Sequence, residues 1–308
     1  MSAIKLVHEQ NRRSFIKTTL AGAGALVAGP ALLRAQAPAT SATRAGDLVT
    51  LGKTGIKASF LAQGTGYNGY NRSSAQTRAG KDSFDRLVRH SLDQGVNFMD
   101  MADLYGSHPF VREVLKGINR DRYVLLSKIW PRKADWVSPS GGAKSEVDRF
   151  RQELNTDMLD VCLIHCMMND QWVGEYERIR DELSELKQKK IIRAVGVSCH
   201  DFGALKVAAE HEWVDLIFAR INNKGGGEYS MDGTVEEVSA VLKKARANGK
   251  AVVGMKLFGA GKLVKPEEKD ASLKYVIGER LVDAMTIGMC KPEEVDDSVA
   301  RIAKALAA

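Results

Sequence analysis

Residues 99–108 read MDMADLYGSH, and Asp100 closes an apolar stretch. A carboxylate beside a hydrophobic strand costs stability unless it is paired, so a cation is expected further along the chain. Lys128, at the end of the run YVLLSK, can supply it. Tyr105 adds a phenol five positions after Asp100, and His165 adds an imidazole at the end of LDVCLIH. Together these are the parts of a proton-transfer site. The phenol exchanges the proton, the ammonium favours its ionised form, and the carboxylate orients the ammonium. The imidazole then donates a hydrogen bond to an oxygen that gains charge. Read singly, each residue has a structural alternative: an ion pair for Asp100 and Lys128, a packed loop tyrosine, a satisfied core histidine.

The elements that must position these residues show in the hydrophobic pattern. Eight short apolar runs, at 60–64, 96–100, 123–128, 159–165, 194–198, 214–219, 251–256 and 285–288, recur along the chain. Stretches with helical spacing separate them, among them 81–94, 175–190, 234–248 and, after the last run, 292–306. Runs such as VCLI and AVGV are apolar throughout, which suits parallel strands covered on both faces. Eight such repeats predict a (β/α)8 TIM barrel. The rival is a doubly wound sheet, in which a G-x-G-x-x-G turn follows the first strand; residues 64–69, GTGYNG, have that spacing, but eight repeats in this order favour the barrel. The segment 49–58, with Lys53-Thr54-Gly55 between two apolar stretches, predicts a β-hairpin covering the barrel bottom. Asp201 and Pro292 fit helix starts, and Asn248-Gly249 fits a helix end. On this count Asp100, Lys128 and His165 end strands two, three and four, and Tyr105 lies in the loop after strand two. All four therefore reach the C-terminal face, where barrels of this kind assemble their sites.

Before the first run the chain reads differently. Asn11-Arg12-Arg13-Ser14-Phe15-Ile16-Lys17 precedes a Gly/Ala-rich apolar run at 20–33 and then Ala35-Gln36-Ala37, an A-x-A cleavage pattern. Together these resemble a twin-arginine secretion signal. The apolar run is shorter than the about 20 residues of a spanning helix and is diluted by glycine. The expected organisation is a signal peptide at 1–37 and a barrel at 38–308, exported by the twin-arginine machinery to the periplasm or another extracytoplasmic space and not embedded in a membrane. Removing 1–37 lowers the formal charge from +7 to +3, and no basic run interleaved with aromatics appears, which argues against nucleic acid as a partner. The four cysteines, Cys162, Cys166, Cys199 and Cys290, form no C-x-x-C pair. On one strand Cys162 and Cys166 would lie about 13 Å apart, beyond bridging reach. Cys166 with Cys199 stays open if neighbouring strands carry them, beside the alternative of buried thiols. His200 and His211 have no spacing with Cys199 that suggests a metal site.

LGKTGIKAS, GTG, D-x-A-D-L-Y-G, LLSK, DVCLIH and AVGVS, in this order across almost the whole chain after residue 37, resemble the aldo-keto reductase family. The resemblance implies an oxidoreductase that moves hydride between a nicotinamide cofactor, NADP or NAD, and an aldehyde, ketone or sugar carbonyl. It implies Tyr105 as general acid tuned by Lys128 and Asp100, with His165 at the substrate oxygen. It also carries cofactor contacts onto Thr65, Gly66 and Ser198.

Several family positions differ here. Cys199 stands for the usual asparagine, Phe218 for a glutamine, and Met255 for the aromatic that stacks on nicotinamide. Towards the C-terminus, Cys290 stands for an arginine and Ser298 for an asparagine, leaving Lys291 as a point charge for the cofactor's phosphate. The loop aromatics Tyr67, Trp130, Trp136 and Trp172 are candidates to line a substrate pocket, and the loops at 128–142 and 222–232 to choose the substrate. Two further readings go with the weakened cofactor contacts and with export: a cofactor-binding or sensor barrel without turnover, and a sugar isomerase or epimerase that recycles a tightly held cofactor.

Overall fold

The computed structural model describes residues 42–132 and 141–308. The proposed signal peptide and Trp136 lie outside the described residues. The chain opens with a small antiparallel pair, β1 (Leu48–Thr50) and β2 (Lys57–Ser59), in the register Leu48↔Ser59. The turn between them donates the Lys53 N–H to the Gly249 carbonyl, just before a barrel strand begins, so the hairpin closes the N-terminal end as the sequence predicts.

Eight parallel strands follow: β3 (Leu61–Gly64), β4 (Phe98–Asp100), β5 (Val124–Ile129), β6 (Leu159–Met167), β7 (Ile192–Cys199), β8 (Leu216–Arg220), β9 (Ala251–Met255) and β10 (Ala284–Ile287). They close in sequence order, with β10 pairing both β9 and β3. β5 is buried at all six positions and β6 at all but Cys166, because residues on one face fill the barrel interior and those on the other meet the helices. Val147 and Phe150 of α4 (Ala143–Leu154) and Leu183 of α6 (Glu177–Gln188) belong to that outer layer.

The helix signals hold in detail. The Asp201 carboxylate accepts the Ala204 N–H at 2.8 Å and starts α7 (Phe202–Glu210). Thr234 and Glu237 form a reciprocal capping box on α8 (Val235–Ala247). Pro292 occupies the first turn of α10 (Pro292–Leu306). Among the described residues no helix is long and apolar enough to cross a membrane. Cys166 and Cys199 sit on the neighbouring strands β6 and β7, and all four cysteines are free thiols.

Candidate active site

β4 delivers Asp100 to the C-terminal mouth, and a 3-10 turn at Asp103–Tyr105 turns the chain back over it. Buried Asp103 anchors that turn, accepting from Arg72 at 2.9 Å and from Arg149 at 2.7 Å. The anchor extends through Glu153, which pairs with Arg72 at 2.6 Å and with His108 at 2.7 Å. The next residue, Gly106, has φ of +62°, and a Cβ there would stand 2.0 Å from the Arg72 carbonyl oxygen. The Tyr-Gly pair therefore has a local cause, since only glycine lets the chain leave the tyrosine in this direction.

Lys128, on β5, is buried and donates to the Asp100 carboxylate and, at 2.9 Å, to the Met101 carbonyl oxygen. The second Asp100 oxygen accepts the Thr286 hydroxyl at 2.9 Å. The Lys128 ammonium also lies 4.9 Å from the ring centres of both Tyr105 and Phe218. His165 meets the Tyr105 ring edge to face at 5.7 Å, and Trp130 meets His165 in the same way at 5.7 Å. The four sequence-selected residues therefore converge. Phe218, where an amide was expected, presents its ring to the lysine.

The electrostatics depart from one expectation. Lys128 was expected to favour the phenolate, but the Tyr105 phenol is pushed well above its ordinary range, first by burial and then by the Asp100 charge. The reason is geometric: the ammonium is spent on Asp100 and Met101, and burial of the phenol disfavours its anion. His165 is held well below its ordinary range, by burial first and then by Lys128 and neighbouring cations. It is therefore a neutral imidazole at physiological pH. Its Nδ1 is buried and has no hydrogen-bond partner among the described residues.

The expected cofactor residues divide into two groups. Gly66 is pressed against the phenol, and a Cβ there would stand 2.3 Å from the Tyr105 ring, so the backbone after β3 borders the phenol. Ser198 is buried; its oxygen accepts the Cys166 N–H at 2.9 Å, and no acceptor takes its own hydroxyl hydrogen among the described residues. These two fit an amide-bearing ring at the mouth. Thr65 is turned inward, with its N–H and its hydroxyl both donated to the Asp100 carbonyl oxygen, so only its carbonyl is left for a ligand. Lys291 is exposed at the start of α10, and there the Glu294 carboxylate already accepts the Cys290 N–H at 2.7 Å.

Trp172 corrects another expectation. It is buried against His211 and Trp213 rather than lining the mouth. Tyr67 does approach the mouth, 43% exposed, with its hydroxyl near Gly261.

A second group of residues, joined by no sequence motif, meets at this face. His200, just after β7, faces His165 edge to face at 6.3 Å and touches the Cys166 sulfur at 3.6 Å. Arg220, the last residue of β8, donates to His200 Nδ1 at 2.5 Å and to Asp232 at 3.0 Å. The available signal was position: Arg220 ends strand six, Lys256 follows strand seven, and Cys166 follows His165.

A model of the Aldo/keto reductase family matches residues 64–305. The pyridoxine 4-dehydrogenase of Escherichia coli K12 is 32% identical over 124 residues, 36% of this chain and 43% of the dehydrogenase. The chain spans about half the length of the curated relatives it matches. Among solved structures, the aldo-keto reductase AKR11C1 of Bacillus halodurans in its holo form superposes with a TM-score of 0.66 at 18% identity, over 85% of this chain and 95% of that one. An aldo-keto reductase of Klebsiella pneumoniae in complex with NADPH superposes with a TM-score of 0.61 at 20% identity, over 84% of this chain and 89% of that one.

Proposed function

The chain belongs to the aldo/keto reductase family, and we propose that it is a nicotinamide-dependent oxidoreductase reducing a small aldehyde, ketone or sugar carbonyl at the mouth built by Asp100, Tyr105, Lys128 and His165. The observation that carries this reading is the single contact group formed by the Lys128 ammonium, the Tyr105 ring and the His165 ring. Gly66 and Ser198 would hold the nicotinamide end of the cofactor, and the Thr65 carbonyl would border it. When bound, the nicotinamide supplies the hydride.

The protein's own part is proton transfer and charge stabilisation. As the substrate oxygen gains negative charge, Tyr105 donates the proton. A phenol held protonated by burial is ready to act as an acid in the reducing direction, and the buried Lys128 ammonium stabilises the tyrosinate once the proton has gone. Asp100 fixes that ammonium. Neutral His165 donates an N–H to the same oxygen and so positions the carbonyl. Phe218 and Trp130 give the mouth apolar walls, which strengthen these interactions by excluding water.

For the cofactor, we propose binding of NAD or NADP with few contacts to the phosphate that distinguishes them, since the cations near Cys290 are Lys291 and Arg78 and the Glu294 carboxylate opposes an anion. Export follows from the twin-arginine pattern and the A-x-A site. An exported reductase would carry its cofactor out tightly bound, because the twin-arginine route passes folded proteins. The test is direct. Protein purified from the extracytoplasmic fraction should begin near Pro38, contain or bind a nicotinamide dinucleotide, and oxidise it when offered aldehydes. A chain that keeps residues 1–37 in the cytoplasm refutes the export proposal. A protein that binds neither dinucleotide refutes the oxidoreductase proposal.

A further inference from the structure

Beside the catalytic group, the mouth collects more positive charge than its own carboxylates balance. Arg132 follows β5, His165 and Cys166 lie near the end of β6, His200 follows β7, Arg220 ends β8, and Lys256 follows β9. Contacts join them. The Arg132 guanidinium stacks on Trp130 at 4.3 Å, Trp130 meets His165, and His165 meets His200. His200 accepts from Arg220, whose Cα partner on β9 is Met255, the residue before Lys256.

Of the carboxylates here, Asp100 is committed to Lys128, and Asp232 is committed to Arg220 through Oδ1, its Oδ2 being buried without a partner among the described residues. Among the described residues, Arg132 and Lys256 have no ion pair. Among the described residues two donor atoms are also buried without a partner, Arg132 Nη1 and Arg220 Nε, as is the ring nitrogen His165 Nδ1, which donates or accepts according to the tautomer. His165 is only 5% exposed. Cations and donors withdrawn from water without partners are costly, so their convergence calls for an anionic, hydrogen-bond-accepting ligand. The backbone supports this. Cys166 and Lys256, both at strand ends, hold φ of +61° and +60°, a region that costs a side-chain-bearing residue energy and that recurs at ligand clamps.

We propose that Arg132, Arg220 and Lys256 form an anion subsite, and that the substrate is a small carbonyl compound carrying a carboxylate or phosphate group, held with its carbonyl at Tyr105 and His165. The carbonyl half of this statement rests on the oxidoreductase reading above; the anion half rests on the cluster. Arg132 follows β5 and His165 lies near the end of β6, across the barrel from β10 and α10 where the cofactor's phosphate is expected, so the Arg132 end of the subsite faces the substrate; Lys256 follows β9, which pairs with β10, and the cofactor titrations below test that end. The same cations, together with burial as the largest cause, keep His200 neutral, with its pKa lowered to about 3. His200 can therefore accept from Arg220 and fix the direction of the guanidinium.

The test separates binding from turnover. Calorimetric titration of the exported protein with benzoate, inorganic phosphate and benzamide should show binding of at least one anion and none of benzamide. Lys256→Met and Arg132→Met should each weaken that binding roughly 10–100-fold, the loss of one charge-assisted hydrogen bond, whereas Lys256→Arg should retain it. Whether benzoate or phosphate binds more tightly distinguishes a carboxylate substrate from a phosphorylated one. In kinetics, para-carboxybenzaldehyde should be preferred to its methyl ester at least about tenfold, and Lys256→Met should remove the preference through KM rather than kcat. NADH and NADPH affinities, read by fluorescence, should be the same in these variants as in the wild type. Failure of both anions to bind overturns the subsite, as does unaltered binding in both methionine variants. A fall in cofactor affinity with the substrate preference intact also overturns it, assigning the cations to the cofactor's phosphates. Turnover without charge preference removes the anion subsite and leaves the oxidoreductase. Lys256-dependent anion binding without turnover of any carbonyl removes the oxidoreductase and leaves the subsite.

Discussion

The ammonium of Lys128 on β5 is seated against the carboxylate of Asp100 at the end of the neighbouring strand β4, both side chains being almost wholly buried. Such a pair can be broken from either side with unequal consequences. Asp100→Asn leaves an uncompensated buried cation and should cost about 3–5 kcal/mol of stability, whereas the double replacement Asp100→Asn with Lys128→Met should recover most of it. Activity should stay lost in the double variant. Urea unfolding of the single and double variants, run beside turnover assays, checks this, and recovery of activity along with stability would show the pair to be only structural.

The Glu294 carboxylate at the start of α10 stands where the extra phosphate of NADP is expected. Removing its charge should favour NADP. Glu294→Gln should lower the Kd for NADPH while changing that for NADH by less than about twofold, because a like charge near the helix N-terminus is being deleted. Fluorescence titration with both cofactors reads the ratio. An unchanged ratio would place that phosphate elsewhere.

His165 is held well below its ordinary pKa and His200 at about 3, while the Tyr105 phenol is raised. None of these three groups changes charge between about pH 7 and pH 9. The kcat/KM for reduction of a neutral aldehyde should therefore be level over that range. A limb near the ordinary histidine value that vanishes in His165→Gln would contradict the neutral-imidazole assignment.

Beneath the tyrosine turn, burial alone would raise the Glu153 carboxyl. The hydrogen bonds from His108 and Arg72 and the charge of Arg149 outweigh it and hold the group at about 2. A carboxyl lower in the folded than in the unfolded chain adds stability that is complete above the unfolded value and lost as pH falls through the folded one. The contribution should be about 1–2 kcal/mol after allowance for partial exposure. Denaturant titrations should show the stability gap between wild type and Glu153→Gln shrinking from about pH 5 to about pH 2. A constant gap would show that the network does not hold Glu153 ionised.

The barrel was legible because parallel strands buried on both faces must be apolar without interruption, so AVGV and VCLI announced themselves. Asp100, Lys128 and His165 were legible because each is the polar residue that ends such a run. Trp172 was misplaced because an aromatic after a strand looks the same whether it lines the mouth or packs against Trp213. The Arg132, Arg220 and Lys256 group was missed for a related reason: one arginine or lysine at a strand end is ordinary, and only barrel closure brings three such ends together. The phenol's raised pKa was illegible because it depends on burial and on which oxygens the lysine already serves.

The most direct test of the central claim is single-turnover reduction of a simple aldehyde by the cofactor-loaded protein, wild type against Tyr105→Phe. Donation of the proton by Tyr105 predicts a fall in rate of about 10²–10⁴-fold with cofactor affinity and stability unchanged. A Tyr105→Phe variant that reduces the aldehyde at the wild-type rate would contradict it.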